Sequence, residues 1–170
     1  MAEACMAMDQ AIRSMTVKTG KYLTFSLDGE EYGIGILKVK EIIGMLPITS
    51  VPRTPEHVKG VINLRGKVIP VTDLRLKFAM EPIKYSDRTC IIVVEIDSEA
   101  STLLMGIVVD AVSEVMNIRE KEIEETPTFG SQLDTEYILG MAKTENGVKI
   151  LLDIDKVLNN QEIKAIKKSI

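Results

Sequence analysis

Apolar and polar residues alternate between Tyr22 and Asp28. Leu23, Phe25 and Leu27 point one way, and Tyr22, Thr24 and Ser26 the other. This is the period-two pattern of a strand buried on one face. Asp28-Gly29 is a turn signal, and Glu31 to Ile36 reads as the returning strand of a hairpin. Val39, Ile42 and Ile43 stand at helical or irregular spacing, and Pro47, Pro52 and Pro55 punctuate the loop that follows. Val58 to Leu64 and Lys67 to Val71 read as two strands joined at Arg65-Gly66. Pro70 has no N–H for a ladder, so the second of these is expected to be an edge strand or bulged at that point.

The run Cys90 to Ile96 is almost wholly β-branched, which suits a strand buried on both faces, and Leu103 to Val109 reads the same way. Glu120 to Ser131 is polar, contains Pro127 and Gly130, and reads as loop. Tyr137 to Lys143 and Val148 to Leu152 form a further strand pair, turned at Glu145-Asn146-Gly147. At Asp153, a candidate N-cap, the pattern becomes helical, with Ile154, Val157 and Leu158 on one face. The stripe loses phase at Asn159-Asn160, and Ile163, Ile166 and Ile170 restart it on another face. The prediction is an all-β chain with short connecting helices and a C-terminal helix.

The chain also repeats itself. Gly33-Ile34 … Val39-Lys40-Glu41-Ile42 recurs 73 residues later as Gly106-Ile107 … Val112-Ser113-Glu114-Val115. Val58-x-Gly60 … Asp73-Leu74 recurs 80 residues later as Ile138-x-Gly140 … Asp153-Ile154, with Val68 answering to Val148 and Val71 to Leu151. The seven extra residues fall in the loop that holds Pro127. Two copies of one unit follow, each of about 65 residues and marginal alone, so they should pack together with a groove at their junction. The expected division is a leader over 1–20, a first unit over 21–81, a second over 82–158 and a tail over 159–170, with terminal strands open to exchange between units.

Composition narrows the function. The chain has 170 residues, 45% apolar, and no stretch near the roughly 18 unbroken apolar residues of a membrane span. Lys and Arg number 21 against 25 Asp and Glu, a formal charge of −4, and aromatic residues are 4% with no Trp. Both features argue against nucleic-acid binding, which needs a basic footprint or stacking platforms. Cys5 and Cys90 share no CxxC motif and read as two reduced thiols. Met1 to Met15 has no basic start before an apolar core and does not read as a signal peptide.

No catalytic constellation emerges. His57 is the single histidine, in a loop after Pro55-Glu56, without a second His or Cys to make a metal site. Nothing ties a nucleophile to it, and no phosphate-binding or dinucleotide loop is present. No cofactor is expected. The segment Gly60 to Val71 instead places a lone arginine, Arg65, at the tip of a hydrophobic hairpin. Two readings stay open there: an exposed turn arginine of little energetic weight, or a docking anchor whose planar fork and apolar stem suit an interface.

The segments Glu30-Glu31-Tyr32-Gly33-Ile34, Ile36 to Ile42, and Lys59 to Arg75 with its Asn63-Leu64-Arg65-Gly66 core resemble the bacterial chemotaxis coupling proteins, the CheW family. So do Gly106 to Asp110 and Thr135 to Gly140. The resemblance covers about Lys21 to Asn160. It implies two SH3-like five-stranded β-barrels packed on each other and a non-catalytic adaptor that joins the cytoplasmic tips of chemoreceptors to the regulatory domain of the histidine kinase CheA. It also implies a cytoplasmic protein, monomeric when free and recruited to receptor arrays at the membrane. By motif, the receptor-contacting groove would include Val39, Glu41, Asn63 and Arg65; no residues are assigned to the kinase contact. The rival is a ligand- or RNA-binding barrel of SH3 or OB type.

Overall fold

The structure, a computed structural model, describes residues 20–97, 101–125, 137–145 and 147–158. It is built of eleven strands: β1 Lys21–Leu27, β2 Glu30–Gly35, β3 Val39–Gly44, β4 Val58–Leu64, β5 Lys67–Asp73, β6 Cys90–Asp97, β7 Thr102–Val109, β8 Ala111–Asn117, β9 Ile123–Glu124, β10 Ile138–Thr144 and β11 Gly147–Leu152. Two four-residue helices, α1 Leu74–Lys77 and α2 Ile154–Val157, close the two halves. The all-β expectation is met by two sheets. One has five strands in the order β3-β6-β7-β5-β4, and the other has six in the order β8-β1-β2-β11-β10-β9. The predicted leader, the tail from Asn159 and the part of the Pro127 loop over 126–136 lie outside the described residues.

Each sheet is closed by the chain that leaves its first edge. After β3 the backbone crosses to the far edge, where Thr49 and Val61 exchange backbone hydrogen bonds of 2.9 Å. After β8, β9 lies on β10 through Glu124↔Met141 and Ile123↔Ala142. Gly60 and Gly140 sit where these crossings press closest. A Cβ on Gly60, at φ +142°, would stand 1.9 Å from the Thr49 carbonyl oxygen; one on Gly140 would stand 2.5 Å from the Ile123 side chain. Both glycines occupy bulges, the ladders shifting register between Val58 and Gly60 and between Ile138 and Gly140. The repeat seen in the sequence is therefore a repeat of bulges and crossings as well as of strands.

The halves interlock. Hairpin β1–β2 from the first half lies between β8 and β11 of the second, and hairpin β6–β7 from the second lies between β3 and β5 of the first. The junctions β2–β11 and β5–β7 are parallel, with Gly33↔Leu151 in one and Gly106↔Val71 in the other. The main core lies where the sheets meet and joins Leu23, Phe25, Ile34, Ile92, Val94 and Ile107 with both short helices. Ile62, Ile69, Val71, Ile91, Val93 and Val108 fill the five-stranded sheet, while Ile118, Ala142 and Leu151 fill the six-stranded one.

Several local expectations change. Residues 39–44 are a strand rather than a helix or irregular segment; a bulge between Val39 and Glu41 breaks the alternation that would have revealed it. β5 is an interior strand, yet its pairing with β7 begins only at Val71, so Pro70 stands where the strand is locally an edge. Glu120–Glu122 forms a 3₁₀ turn and Ile123–Glu124 a short strand within the predicted loop. Cys90 is not a reduced thiol but disulfide-bonded; Cys5 lies outside the described residues. Asp153 is the N-cap of α2, without a side-chain hydrogen bond to it. Among the described residues, no helix is long and apolar enough to cross a membrane.

Candidate functional site

The β4–β5 hairpin turns in two residues, Arg65 and Gly66, both at positive φ (51° and 86°), between paired Leu64 and Lys67. Such turns match the twist of the strands, and they favour residues other than arginine at the first position. The Asn63 side chain steadies the turn: its Oδ1 accepts from the Gly66 N–H at 2.8 Å. Val68, opposite Asn63 on the outer face, is 63% exposed.

Arg65 does not simply project into solvent. Its Nη1 donates to Glu41 Oε2 at 2.7 Å and its Nη2 donates to Glu41 Oε1, a two-armed fork on one carboxylate. The two partners sit in different environments, the Arg65 side chain 67% exposed and that of Glu41 12%. Glu41 lies across β3 and β6 from Val93, so it shares the face that lines the five-stranded sheet. The arginine thus caps a carboxylate on a strand of the apolar five-stranded sheet, against whose core Leu64, Leu104 and Ile43 pack partly buried. A charge-assisted, planar, half-exposed pair of this kind can recognise a partner helix by register and by carboxylate or amide hydrogen bonds.

Of the four residues read from the sequence, the structure brings together Glu41, Asn63 and Arg65. Val39 is elsewhere: it is 6% exposed, within the core between the sheets. The pairing of Glu41 with Arg65 had no local signal, because 24 residues separate them. The second copy gives no hint either, since Arg65 answers to Glu145.

A second polar centre also escaped the sequence reading. Arg75, on α1 and 8% exposed, grips Asp110 with Nε at 2.7 Å and Nη2 at 2.8 Å, and its Nη1 donates to the Glu81 carbonyl at 2.7 Å. Asp110 Oδ2 also accepts from the Asp28 N–H at 2.9 Å. The hydrogen bonds to Asp110 raise the Arg75 pKa. At the corresponding place of the other half, Lys38 meets Asp155 at 2.7 Å and Asp97 at 3.0 Å. Burial lowers the Lys38 pKa, but hydrogen bonds to Asp155 and Asp97 outweigh it and the net shift is upward. Among the described residues no group of three or more potential metal ligands is found, around His57 or elsewhere.

Two closed sheets interlocked through exchanged hairpins, with an exposed arginine fork on one hairpin tip, define a paired-barrel interaction protein. The CheW-like domain family matches residues 21–162. The chemotaxis protein CheW of Klebsiella aerogenes is 40% identical over 146 residues, 86% of each chain. That of Bacillus subtilis is 35% identical over 147 residues, 85% of this chain and 91% of the relative. The crystal structure of the scaffolding protein TtCheW from Thermoanaerobacter tengcongensis superposes with a TM-score of 0.75 at 38% identity, over 84% of this chain and 94% of that one. The chain belongs to the CheW-like family and is a non-catalytic scaffold protein of chemotaxis.

Proposed function

We propose that the protein couples chemoreceptors to the chemotaxis histidine kinase CheA, binding the receptor's cytoplasmic tip with one surface and the kinase regulatory domain with another. In this reading the protein is cytoplasmic, monomeric when free, and drawn to membrane-associated arrays by its partners. The observation that carries the receptor site is the Arg65 fork: an arginine held in a left-handed turn, two-thirds exposed, yet anchored on Glu41. A residue kept in a costly backbone conformation at an exposed tip fits a contact role better than a purely structural one. Asn63 holds the turn, Glu41 orients the fork, and the apolar rim receives a helix stripe. Val39, the fourth residue of the motif, is 6% exposed and packs in the core between the sheets.

The test is binding of receptor-tip fragments and of the kinase regulatory domain to wild-type protein, Arg65→Ala and Arg65→Glu, with circular dichroism on each. Loss of receptor binding with retained fold and kinase binding is expected. Normal receptor binding by both variants would place the receptor contact elsewhere.

A further inference from the structure

Among the described residues, each junction between strands not joined by a hairpin or by the β9–β10 pair runs between the two halves of the chain: β1 on β8, β2 on β11, β3 on β6 and β5 on β7. Without the second half, β3 has no partner and hairpin β1–β2 has no sheet. Without the first, hairpin β6–β7 is likewise stranded. A lone two-stranded hairpin is marginal in water, and a unit of about 65 residues buries too little to hold its own fold.

The contacts across the junctions are also specific in shape. A Cβ on Gly33 would stand 2.9 Å from Leu151 Cδ2 of the other half, and one on Gly106 would stand 2.8 Å from Ile91 Cγ2 of its own half and 3.4 Å from Val71 Cγ2 of the other. The first half thus presents a glycine that a leucine of the second covers closely, and the second presents a glycine packed between its own Ile91 and Val71 of the first.

The covalent link between the halves, from Phe78 to Thr89, has neither helix nor strand. Its first part is bound to the first half: the Met80 N–H donates to the Arg75 carbonyl at 2.8 Å, and the Tyr85 hydroxyl donates to Asp73 Oδ2 at 2.8 Å. Thr89, 1% exposed, is buried at the start of β6. Between these lie exposed Ser86, Asp87 and Arg88. The hydrogen bonds of this turn stay within it, with Ser86 N–H donating to Thr89 Oγ1 at 2.9 Å and Thr89 N–H to the Ser86 carbonyl at 3.2 Å.

We propose that the molecule is a pre-joined pair of complementary half-chains, parted at 86–88, each the specific binding partner of the other, and that a second copy of this chain can supply either half. The exposed residues 86–88 keep the halves at high effective concentration, while the contacts of the link before them belong to the first half. An exchanged pair would repeat every strand junction of the single molecule, which is why such exchange costs little.

The experiment uses the full chain, kept throughout in a thiol reductant so that no disulfide of Cys90 can tether the pieces, with a site-specific protease sequence inserted between Asp87 and Arg88 and cut after folding. The two pieces are expected to co-elute at the volume of the uncut protein with an unchanged circular dichroism spectrum. When two batches of cut protein carrying different affinity tags on the first half and different mass labels on the second are denatured together and refolded, hybrids should form as often as parental pairs. Separation of the pieces or loss of the spectrum on cutting would overturn the proposal. Pieces that stay together but refold without hybrids would overturn the exchange between copies. If the insertion unfolds the uncut chain, the same cut placed between exposed Pro82 and Ile83 repeats the test.

Discussion

Arg65 and Glu41 meet through both arms of the guanidinium, although the arginine is on a hairpin tip and the carboxylate lies on a strand that shares no ladder with that hairpin. The pair spans the opening of the five-stranded sheet. Because the arginine is mostly exposed and the glutamate mostly buried, the two ends should respond differently to mutation. Arg65→Ala is expected to cost about 1 kcal/mol or less in urea unfolding, as exposed ion pairs usually do. Glu41→Ala, which opens a gap at the mouth and releases the arginine, should cost more. A larger loss for Arg65→Ala than for Glu41→Ala would contradict this assignment of environments.

Gly60→Ala is expected to be among the most damaging single-methyl changes, by about 3 kcal/mol or more. It combines a backbone conformation closed to other residues with a Cβ 1.9 Å from the Thr49 oxygen. Gly66→Ala has positive φ but open space around it and should cost only about 1 kcal/mol. Equal losses by chemical denaturation would mean that backbone conformation alone, and not the crossing at Thr49, sets the effect.

The Arg75–Asp110 grip ties α1 and the β1–β2 turn to the end of β7. Asp110→Ala takes from Arg75, 8% exposed, the carboxylate that it grips with both arms and leaves it Asp28 at 3.6 Å. Breaking a buried pair from one side is expected to cost about 3 kcal/mol. Thermal unfolding of Asp110→Ala and Asp155→Ala would compare the two corresponding clamps. The first should fall further, because Lys38 is more exposed and keeps Asp97 at 3.0 Å, whereas Arg75 keeps the exposed Asp28 at 3.6 Å.

Lys149, 8% exposed, takes the place in the six-stranded sheet that Ile69 takes in the five-stranded one, opposite Ala142 where Ile69 is opposite Ile62. Lys149→Leu should therefore stabilise the protein, by about 1 kcal/mol, by replacing a lysine on an inward face with an apolar chain of similar volume. A lowered unfolding midpoint would show that the lysine makes a contribution its surroundings do not reveal.

Alkaline pH should weaken the fold through Tyr85. Burial first, and then its hydrogen bond to Asp73, raise its pKa well above the ordinary 10.0. A raised folded-state value means that the contribution is complete below pH 10 and is lost as pH climbs, because the unfolded chain gives up its proton first. Lys38, raised from 10.5, adds to the same loss at higher pH. Tyr85→Phe should lose about 1 kcal/mol at neutral pH and show a shallower decline above pH 10. An unchanged slope would assign the alkaline loss to other groups.

The strands were legible in the sequence wherever one or both faces are buried without interruption. β1, β6 and β7 each carry their pattern in consecutive residues, and Asp28-Gly29 and Arg65-Gly66 mark turns by their chemistry alone. β3 was not legible, because a single bulge at Lys40 puts Val39 out of phase with Glu41 and the rest. β8 has the same bulge at Ser113, and after Ala111 its apolar residues are only partly buried. Glu41, Asn63 and Arg65 are candidates through the resemblance of their segments to the CheW family, whereas the burial of Val39 depends on which side of the bulge it falls.

What the sequence determined by itself is what short-range physics encodes: alternation, turn residues, and a duplication whose glycines and aspartates recur at fixed offsets. Only the tertiary structure decided which strand lies beside which. Alternation specifies a face but not a neighbour, and strands β2 and β7 would read the same whether they completed their own half or the other. The exchange of hairpins, the crossing that closes each sheet, and the meeting of Arg65 with Glu41 all depend on contacts between residues distant in the chain. Their energies come from burial and fit once the two halves are together, and no local pattern records them.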